Sequence, residues 1–526
     1  MKSNFILIAF IFNIFCGFSQ NKPYTGKVLD ETSNLPIVGA NIIVKGARTS
    51  TQTDFNGSFS FANLEVGSVL IVSFVGYEST EVILSKNTEL VIRLSSEQKN
   101  LEEVVVVGYG TKKKKDVTGA VALLGKKTFE DLRPIKTEQA LQGTIAGVNV
   151  TSSSGAPGAG LNILIRGVAG NGANGPLVII DGFAGALELL NPSDIETISV
   201  LKDAQAAVYG SIGGNGVVLV TTKQGRKNAK TKVVFNSYTG MQETTRKLKL
   251  LDATQYGLLL NEANANAGNT LPFPNVSALG VGTDWQNEVF NKAVVYNNDI
   301  AVSGGAEKIT YYMSASNLKQ DGIVGGNKSG FNRSSIRMGI GADLSDKFKL
   351  QSNVVYTDFN RRSLNEGGLG SVLFNAINVP ATQNVFDTSG DYTLVPSTQG
   401  YGNEVINPLA QIDNTYNSYN LKTLSGTAKL DYLAFKDFKF TSRIGFNNRR
   451  IKEKSFSKIV DYGANKIFNV PRSNVFQRYI NEFNYTADLF AEYETKIAEN
   501  HKIKIAAGTT IFEDTSSRLF ATSSLC

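Results

Sequence analysis

The sequence predicts a mainly β protein, and three observations support this prediction. Gly is abundant, with 50 residues, whereas Pro contributes 12. Tyr and Phe contribute 19 and 30 residues, and aromatic and β-branched side chains favour strands. Apolar and polar residues also alternate along several stretches of the second half, which is the period of a sheet with two different faces. With 526 residues, the chain has room for roughly two to four domains.

Composition excludes several classes of function. The formal net charge is +7, but no basic stripe with interleaved aromatic residues accompanies it, so nucleic acid is not an expected partner. One His and two Cys argue against a His/Cys metal site and against a His-based catalytic triad. His501 lies in a Lys-rich turn, where we expect a solvated side chain. Asp and Glu are scattered without a candidate carboxylate pair, so the sequence predicts no enzyme, catalytic residue, cofactor or metal.

The N-terminus has the pattern of an export signal, predicted for residues 1–20. Lys2 is followed by a nearly continuous apolar run from Phe5 to Phe15, and Gly17 and Ser19 are small residues at a suitable cleavage spacing. This run is too short to span a bilayer as a helix. A lipoprotein anchored at Cys16 is the weaker alternative. The mature chain is therefore expected outside the cytoplasm.

Residues 21–95 contain short apolar runs separated by turn signals, which predicts a small β-sandwich. The motifs Gly26-x-Val28-x-Asp30, Gly39-Ala40-Asn41 and Thr53-Asp54-x-x-Gly57-x-Phe59 resemble the carboxypeptidase-regulatory-like β-sandwich. Contact with a protein or glycan is one interpretation of this domain. A rigid spacer is the favoured one, because no cluster of reactive side chains is present.

Residues 96–115 are predicted to be a linker with one apolar segment. Val104 to Val107 are four consecutive valines, which favour an extended backbone, and charged residues flank them. One interpretation is a strand that pairs with the sheet edge of a partner, where main-chain hydrogen bonds supply the affinity. The alternative is the last strand of the preceding sandwich.

Residues 116–223 are predicted to form a compact α+β domain. Strands are expected at 161–165, 177–180, 195–201 and 217–222, and helices at 137–145 and 203–208. Its ordered motifs are Leu164-Ile165-Arg166-Gly167, Pro176 to Gly182, Leu190 to Ala204, Tyr209-Gly210-Ser211 and Asn215 to Lys223. They resemble the plug domain of SusC/RagA-type TonB-dependent outer-membrane transporters. The plug motif residues are Gly167, Asp181, Gly182, Asp194, Lys202, Asp203, Tyr209, Gly210, Asn215 and Gly216.

This resemblance assigns roles to two further sets of residues. The valine segment resembles a TonB box, composed of Glu102, Glu103, Val104, Val105, Val106, Val107, Gly108 and Tyr109. In related receptors, an Arg and a Glu at the positions of Arg166 and Glu196 pair with charges on the barrel wall, which makes these two residues candidate plug latches. Ordinary surface or intra-plug pairing is the alternative for both.

Residues 224–526 have the pattern of a partial transmembrane barrel. Ile336, Met338 and Ile340 alternate with polar or small neighbours, and similar alternation recurs at 423–432 and 486–493. Nine antiparallel strands are predicted near 231–240, 296–303, 309–317, 335–344, 347–358, 421–432, 437–446, 483–494 and 501–512. Long and short links between them alternate, as in outer-membrane barrels. Alternation alone would also fit a water-soluble sandwich.

Nine strands are too few to enclose a plug, since plugged transporters have on the order of 22. The sequence therefore leads us to expect the N-terminal fragment of a longer transporter, which would not close into a pore by itself. The resemblance implies TonB-dependent import of a large nutrient, of the oligosaccharide or peptide class, across the outer membrane. The implied partners are TonB, a SusD-like surface lipoprotein, outer-membrane lipid and the nutrient. The sandwich and TonB box would lie in the periplasm. A non-transporting surface binding or adhesion protein is the alternative.

Cargo is expected between the outer loops and the upper plug loops around Gly155–Gly175. Four aromatic residues of the outer loops could stack on sugars: Tyr256, Trp285, Tyr392 and Tyr401. Plain packing within the loops is the favoured alternative for each of them.

Overall fold

A computed structural model describes most of the chain. The described residues are 23–31, 33–47, 49–62, 64–74, 77, 79–85, 89–95, 104–107, 110–113, 121–132, 134–168, 170, 175–397, 402–498 and 501–525. The predicted signal peptide, Glu102, Glu103, Gly108 and Tyr109 lie outside these ranges. The chain divides into two compact units, one up to Val105 with Thr111–Val117 and a second that contains Val106–Gly110 and the remainder from Thr118.

The first unit contains two small sheets. Its strands are β1 (Tyr24–Asp30), β2 (Asn41–Val44), β3 (Ser50–Gln52), β4 (Ser58–Phe61), β5 (Val69–Ser73), β6 (Thr80–Ile83) and β7 (Glu89–Leu94). One sheet has the order β4-β1-β7 and the other the order β3-β2-β5-β6. The pairing of β1 with β7 is parallel, and the other pairings are antiparallel. This arrangement confirms the predicted β-sandwich.

The sandwich has an ordinary apolar core. Val28, Ile42, Leu70 and Leu94 are fully buried in one cluster. Gly57 forms the turn before β4 with φ +70°, and a Cβ atom there would lie 2.7 Å from the Val28 carbonyl oxygen. Only glycine fits this turn, since both the backbone conformation and the close approach exclude a side chain.

The valine segment forms a separate short hairpin. Strands β8 (Val104–Val107) and β9 (Gly110–Lys113) pair with each other in a two-stranded sheet. Neither of the sandwich sheets contains β8. The alternative that this segment is the last strand of the sandwich is therefore wrong, whereas its predicted extended conformation is present.

The second unit begins with an α+β domain, which we call the plug. Its regular elements are β10 (Val121–Gly125), α1 (Lys126–Leu132), β11 (Val148–Ser152), β12 (Leu161–Ile165), β13 (Leu177–Ile180), β14 (Phe183–Ala184), β15 (Ile195–Leu201) and β16 (Val217–Thr222). Five strands form a sheet in the order β10-β15-β16-β13-β14, and β11 and β12 form a hairpin. Four 3-10 turns complete it, at Thr137–Leu141, Leu187–Leu189, Pro192–Asp194 and Asp203–Gly213.

The four predicted plug strands are present, but the two predicted helices are not α-helical. The segment expected as a helix over 137–145 is a 3-10 turn that ends at Leu141, because the backbone is extended at Gln142 and Gly143 adopts a positive φ. The second expected helix is a 3-10 segment interrupted at Gly210, where φ is +67°. Four further elements, β10, α1, β11 and β14, have no counterpart among those predicted from the sequence.

Nine long strands form one antiparallel sheet, which we call the wall. They are β17 (Lys232–Gln242), β18 (Ala293–Gly305), β19 (Ile309–Asp321), β20 (Gly330–Asp343), β21 (Phe348–Arg362), β22 (Tyr416–Phe435), β23 (Phe438–Ser457), β24 (Ser473–Ala498) and β25 (His501–Leu525). Each strand pairs with the next in sequence, so that β17 and β25 are the edges. All nine predicted strands are confirmed, and their links alternate between short and longer segments.

The wall has a polarity opposite to that of a water-soluble sheet. Along β20, Ile336, Met338 and Ile340 are exposed, Ile336 to 56%, whereas Ser335 is buried and Arg337 is only 2% exposed. Neighbouring strands repeat this pattern, with exposed Val354, Leu424, Ile444 and Leu489 and with buried Thr357, Thr423, Thr441 and Asp488. A water-soluble sandwich would bury its apolar face instead. The wall therefore belongs to the barrel class and not to the sandwich class.

The two longest links fold over one end of the wall. The link between β17 and β18 contains α2 (Ala253–Asn266) and α3 (Trp285–Val289), and the link between β21 and β22 contains α4 (Val372–Asn378) and α5 (Pro408–Asp413). Side chains from both links share one core that includes Trp285, Val289, Val372 and Val405. Within the described residues, no helix has the length and apolar character needed to cross a bilayer.

Candidate functional site

The inner face of the wall holds the plug through polar side chains, and we treat this interface as the candidate site. The 3-10 turn Pro192–Asp194 places Asp194 against β19, where Asp194 is 3% exposed. The hydroxyl of Tyr312 donates a hydrogen bond to Oδ1 of Asp194 at 2.9 Å. The guanidinium of Arg337 lies 4.8 Å from the centre of the Tyr312 ring. A plug carboxylate, a wall phenol and a wall cation thus form one buried group.

A second plug carboxylate joins the end of β16 to the wall. Asp181 accepts the main-chain N–H of Thr222 at 3.0 Å and the Thr222 hydroxyl at 2.5 Å. Oδ2 of Asp181 also accepts a hydrogen bond from Nδ2 of Asn353, on β21, at 3.2 Å. Arg337 in turn donates to Oγ1 of Thr222 and, at 2.9 Å, to Oδ1 of Asn353. Charge-assisted bonds of this kind are stronger than neutral ones, so this network fixes the plug in register with β20 and β21.

Gly182 follows Asp181 and allows the wall to approach closely. It has φ +90°, and a Cβ atom at this position would overlap the guanidinium of Arg443. Arg443 forms an ion pair with Asp488 on the next strand, with an N–O distance of 2.6 Å. A glycine is thus required for both the turn and the contact. Both motif residues, Asp181 and Gly182, therefore lie at the interface with the wall.

A third contact joins the plug to the first strands of the wall. Ser193 donates to Oδ1 of Asp299 on β18 at 3.1 Å, and Asn236 on β17 donates to the other oxygen at 2.7 Å. Lys223 donates to the Ser193 carbonyl oxygen at 2.7 Å. Burial lowers the pKa of Lys223, and the positive charge of Lys126 lowers it further, while nearby carboxylates oppose both effects.

Plug main-chain carbonyls also accept hydrogen bonds from the wall. Thr357 donates to the oxygen of Leu189 at 3.2 Å, and Arg333 donates to the oxygen of Glu188 at 3.0 Å. Arg361 donates to the oxygen of Pro157 at 3.0 Å. These bonds depend on the shape of the plug backbone more than on its side chains. They therefore extend the attachment from β16 to the Gly-rich loop after β11.

The predicted latch residues occupy other places. Arg166 follows β12 with φ +58°, and its main-chain N–H donates to the oxygen of Gly147 at 2.8 Å, while its side chain is exposed. Glu196 is half-buried on β15, and its charge acts on Lys223 within the plug. The latch role of both residues stays a prediction.

The other motif residues are spread across the plug. Gly167 and Gly216 have positive φ, and a Cβ atom on Gly216 would lie 2.7 Å from Cδ1 of Ile165. Lys202 is buried and donates to the carbonyl oxygen of Ala146. Asp203 begins the 3-10 segment that contains Tyr209 and Gly210, and Asn215 lies between this segment and β16. Most of these motif positions thus shape the plug itself.

The wall residues of the interface were not singled out from the sequence. Tyr312, Asn353 and Asp299 are far from the plug motifs in sequence, and each contact joins residues more than a hundred positions apart. Arg337 is one of the polar neighbours that alternate with Ile336 and Met338 on β20. Its long cationic side chain on the polar face of the strand is the sequence feature that could have indicated a contact with the plug.

The loop aromatics pack within the loops. Trp285 is 3% exposed, and its indole N–H donates to the carbonyl oxygen of Pro380 at 3.1 Å. Tyr256 is half-buried against the same core, and Tyr392 stacks on Phe386 with 5.1 Å between ring centres. Stacking of Trp285 on a sugar is therefore wrong in this conformation, because its ring has no accessible face. Tyr401 lies outside the described residues.

Several cavities border the plug, and two of them adjoin the wall or the Gly-rich loops. One of about 260 Å³ lies between the plug and the wall, lined by Asp181, Phe183, Arg337, Asn353 and Arg449 among others. Another of about 650 Å³ lies on the plug beside the Gly-rich loops, lined by Glu138, Thr151, Asn162, Val168 and Glu188 among others. The second cavity offers carboxylate, amide and hydroxyl oxygens as acceptors for a polar ligand.

Comparisons with known proteins identify the domains. Residues 24–106 match the CarboxypepD_reg-like domain family, and residues 113–217 match the TonB-dependent Receptor Plug Domain family. The chain is 33% identical over 498 residues to TonB-dependent receptor P26 of Formosa agariphila, covering 92% of this chain and 48% of the relative. It is 32% identical over 468 residues to TonB-dependent receptor SusC of Bacteroides thetaiotaomicron, covering 82% and 45%. The chain thus contains the plug domain of TonB-dependent receptors and is similar in sequence to members of that family, SusC among them.

Solved structures agree with this assignment at the level of fold. The RagAB peptide importer in its open-open state has a TM-score of 0.69 and 24% identity, covering 80% of this chain and 50% of that chain. The RagAB peptide transporter has a TM-score of 0.67 and 22% identity, covering 78% and 49%. The chain spans about half the length of the curated receptors it matches. The predicted mainly β receptor fold, with its sandwich, plug and antiparallel wall, is confirmed.

Proposed function

We propose that this chain acts in the TonB-dependent import of a large nutrient across the outer membrane. One observation carries the proposal: a compact plug is hydrogen-bonded to the polar face of a sheet whose other face is apolar and exposed. A lipid-facing wall around a movable plug fits transport, since the plug blocks free diffusion and a path opens only when the plug moves. We propose a cargo of the oligosaccharide or peptide class. This class follows from the resemblance and not from the residues of the interface.

The energy for plug movement would arrive through TonB. In this proposal TonB pairs with the segment from Glu102 to Tyr109, of which β8 is the described part. Both strands of the β8–β9 hairpin are edge strands, and each offers main-chain groups to a further strand. Strand addition supplies affinity through the backbone and places few demands on side chains, which suits a run of valines.

Cargo would bind above the plug, at the end of the wall that carries the long links. The 650 Å³ cavity beside the Gly-rich loops provides acceptor oxygens there, and hydroxyl or amide donors are common to oligosaccharides and peptides. A SusD-like surface lipoprotein is the proposed partner at this end. The packed core of the two longest links supports a preformed binding surface.

The proposed location is the outer membrane, with the sandwich and TonB box in the periplasm. At the end of the wall with the short links, exposed and half-buried aromatic rings form a row along neighbouring strands. Phe348 and Tyr432 stack with ring centres 4.6 Å apart, and Phe438 and Phe440 meet edge to face at 4.9 Å. Aromatic girdles of this kind mark the interfaces of membrane barrels. The row therefore supports a lipid boundary near the short turns.

The alternative is a non-transporting surface binding or adhesion protein. It would explain the export signal and the sandwich, but it gives no role to a plug attached by three separate polar contacts. The matched relatives are receptors, and no part of the proposal requires catalysis.

Uptake of labelled oligosaccharides and peptides by cells that express the complete gene tests the proposal. We expect Val105→Pro, or replacement of Val104–Val107 by Gly and Ser, to abolish uptake, because proline removes a main-chain donor and flexible residues disfavour the strand. The matched control replaces the same four valines by Thr, which keeps the β-branched shape and the backbone bonds, and it should retain uptake. Undiminished uptake by the proline variant at normal surface levels would contradict the proposal.

A further inference from the structure

One area on the apolar, exposed face of the wall is strongly basic, and we call it the basic patch. On β23, Ile451 is directed inward and shares a buried cluster with Leu189 of the plug. Its neighbours in sequence are therefore directed to the outer face, which also carries Leu424 on β22. The basic patch consists of five exposed cations on three neighbouring strands: Arg362 on β21, Lys422 on β22, and Arg450, Lys452 and Lys454 on β23.

The register of the strands places these cations side by side. Lys422 lies directly opposite Arg450, and Ser418 lies opposite both Arg362 and Lys454. With about 3.4 Å per residue and about 4.8 Å between strands, the basic patch covers roughly 14 by 10 Å. Like charges directly opposite each other destabilise a sheet, so the wall carries an electrostatic cost here that a bound anion would relieve.

Carboxylates of the wall neutralise little of this charge. Asp358 lies opposite Lys422, with 3.5 Å between its Oδ2 atom and the Lys422 Nζ atom. Glu453 is on the same strand as three of the cations, but it pairs with Arg478, which lies on the inner face. Within the described part of β21, β22 and β23, Asp358 is the one carboxylate beside the basic patch. Five cations and one carboxylate give a net charge of +4.

The basic patch begins where the exposed apolar side chains end. Tyr356, Leu424 and Phe483 lie in one row across the wall, and each is about 40% exposed. Lys422 is two residues from Leu424, which is about 7 Å along the strand. The cations lie toward the long links, since β22 begins and β23 ends there. For a wall in a bilayer, this is the depth of the lipid headgroups, just outside the hydrocarbon core.

We propose that the basic patch binds the phosphate groups of an anionic lipid in the leaflet at the long-link end of the wall. This inference rests on the proposed membrane location, but it does not depend on import. Phosphate oxygens accept charge-assisted hydrogen bonds from guanidinium and ammonium groups. The net charge and the length of the basic patch favour a headgroup with two phosphates. The adjoining apolar row favours a lipid over an acidic protein, because lipid chains can lie against Leu424 while the headgroup contacts the cations.

Lipid binding to the purified full-length protein in detergent tests the proposal. Native mass spectrometry measures the Kd for a diphosphorylated disaccharide lipid, for its monophosphorylated form and for phosphatidylcholine, and we expect affinity to fall in that order. Arg450→Gln and Lys452→Gln should each weaken binding of the diphosphorylated lipid by about fivefold, since each removes one cation near the headgroup. Lys319→Gln is the matched control and should change the Kd by less than about twofold. Lys319 is exposed in the same row as Lys452, but Asp321 lies 3.9 Å from it.

A second variant changes the affinity in the opposite direction. Asp358→Asn removes the carboxylate beside the basic patch and should tighten binding of the diphosphorylated lipid by about fivefold, a gain that a misfolded protein cannot show. Equal affinity for the three lipids, or equal losses in Arg450→Gln and Lys319→Gln, would overturn the proposal and favour an acidic protein segment as the occupant. Displacement of the lipid by an equal concentration of inorganic phosphate would assign the site to free phosphate and would also overturn it.

This test is independent of cargo uptake. Lipid binding is measured without TonB and without cargo, whereas the proposed import is measured in cells with the Val104–Val107 variants. No preference for the diphosphorylated lipid together with TonB-dependent uptake would refute the lipid site alone. A clear preference together with TonB-independent uptake would refute the proposed function and leave the lipid site intact.

Discussion

The sandwich and the wall are both antiparallel or largely antiparallel β structures, yet they place their apolar side chains on opposite sides. In the sandwich, Val28, Ile42 and Leu70 are fully buried. In the wall, Ile336 is 56% exposed, whereas Arg337 is 2% exposed. Both regions have the period of a strand, so the period reveals the strand and not its environment. The polarity of the buried face distinguishes the two regions: the sandwich buries its apolar side chains, and the wall exposes them.

The largest expected effect comes from the sandwich core. Leu70→Ala should lower the free energy of unfolding of the sandwich by about 2–5 kcal/mol, since it removes buried methyl groups and leaves a cavity. Hydrogen exchange of residues 24–94 in the full chain measures this, and exchange in the wall should not change. Ile83→Ala is the control, because Ile83 is exposed on the same sheet and its truncation should change little. Equal effects of the two substitutions would contradict an apolar core of this kind.

Charging one exposed apolar side chain in each region sharpens the comparison. Ile336→Arg should destabilise the assembled wall by about 2–4 kcal/mol, because the arginine would face the bilayer interior. Val91→Arg on β7 should cost within about 0.5 kcal/mol, because the exposed Val91 already faces water. Folding equilibria in lipid vesicles measure the first change, and hydrogen exchange of the sandwich measures the second. If Ile336→Arg destabilised the wall no more than Val91→Arg destabilises the sandwich, the claim that the wall exposes its apolar face to lipid would be contradicted.

A smaller effect is expected where the wall and the plug meet. Asp181→Asn replaces a carboxylate that accepts from Thr222 and Asn353 by an amide whose NH₂ group opposes one of these donors. Leaving a buried donor unpaired costs about 1–3 kcal/mol, and this loss should fall on plug docking. The rate at which a protease cleaves the plug in detergent-purified protein measures the change. Ser389→Ala, in an exposed outer loop, serves as the control and should leave cleavage unchanged.

The smallest effect concerns the loops. Trp285→Phe keeps an aromatic ring in the shared loop core but removes the indole N–H that donates to Pro380. The loss of one hydrogen bond should cost about 1 kcal/mol of local stability. Faster hydrogen exchange of residues 372–378 would report it. If instead the tryptophan binds cargo, cargo affinity would fall while exchange stays unchanged, and the packing account would be wrong.

Much of the fold follows from the sequence, but element ends do not. The sequence predicts β23 at 437–446, whereas the strand continues to Ser457. Residues 447–457 are polar apart from Ile451 and Phe456, so the alternation of apolar and polar residues disappears there. A similar loss of signal shortens the prediction for β25, which continues to Leu525.

The site was predictable only in part. The plug motifs contain Asp181 and Asp194, which do contact the wall, but their partners Asn353 and Tyr312 are set by tertiary structure. One sequence shows no signal that joins residues so far apart. The burial of Glu138 was also missed, because a Glu in a short polar turn ordinarily faces water.

The central claim is that the exposed apolar face of the wall contacts lipid. Spin labels placed one at a time from residue 335 to residue 340, in full-length protein with Cys526→Ser and in lipid vesicles, test it directly. The account predicts that labels at 336, 338 and 340 collide with dissolved oxygen and not with a water-soluble nickel reagent, while labels at 335, 337 and 339 collide with neither. Collision of the nickel reagent with labels at 336, 338 and 340 would contradict the claim.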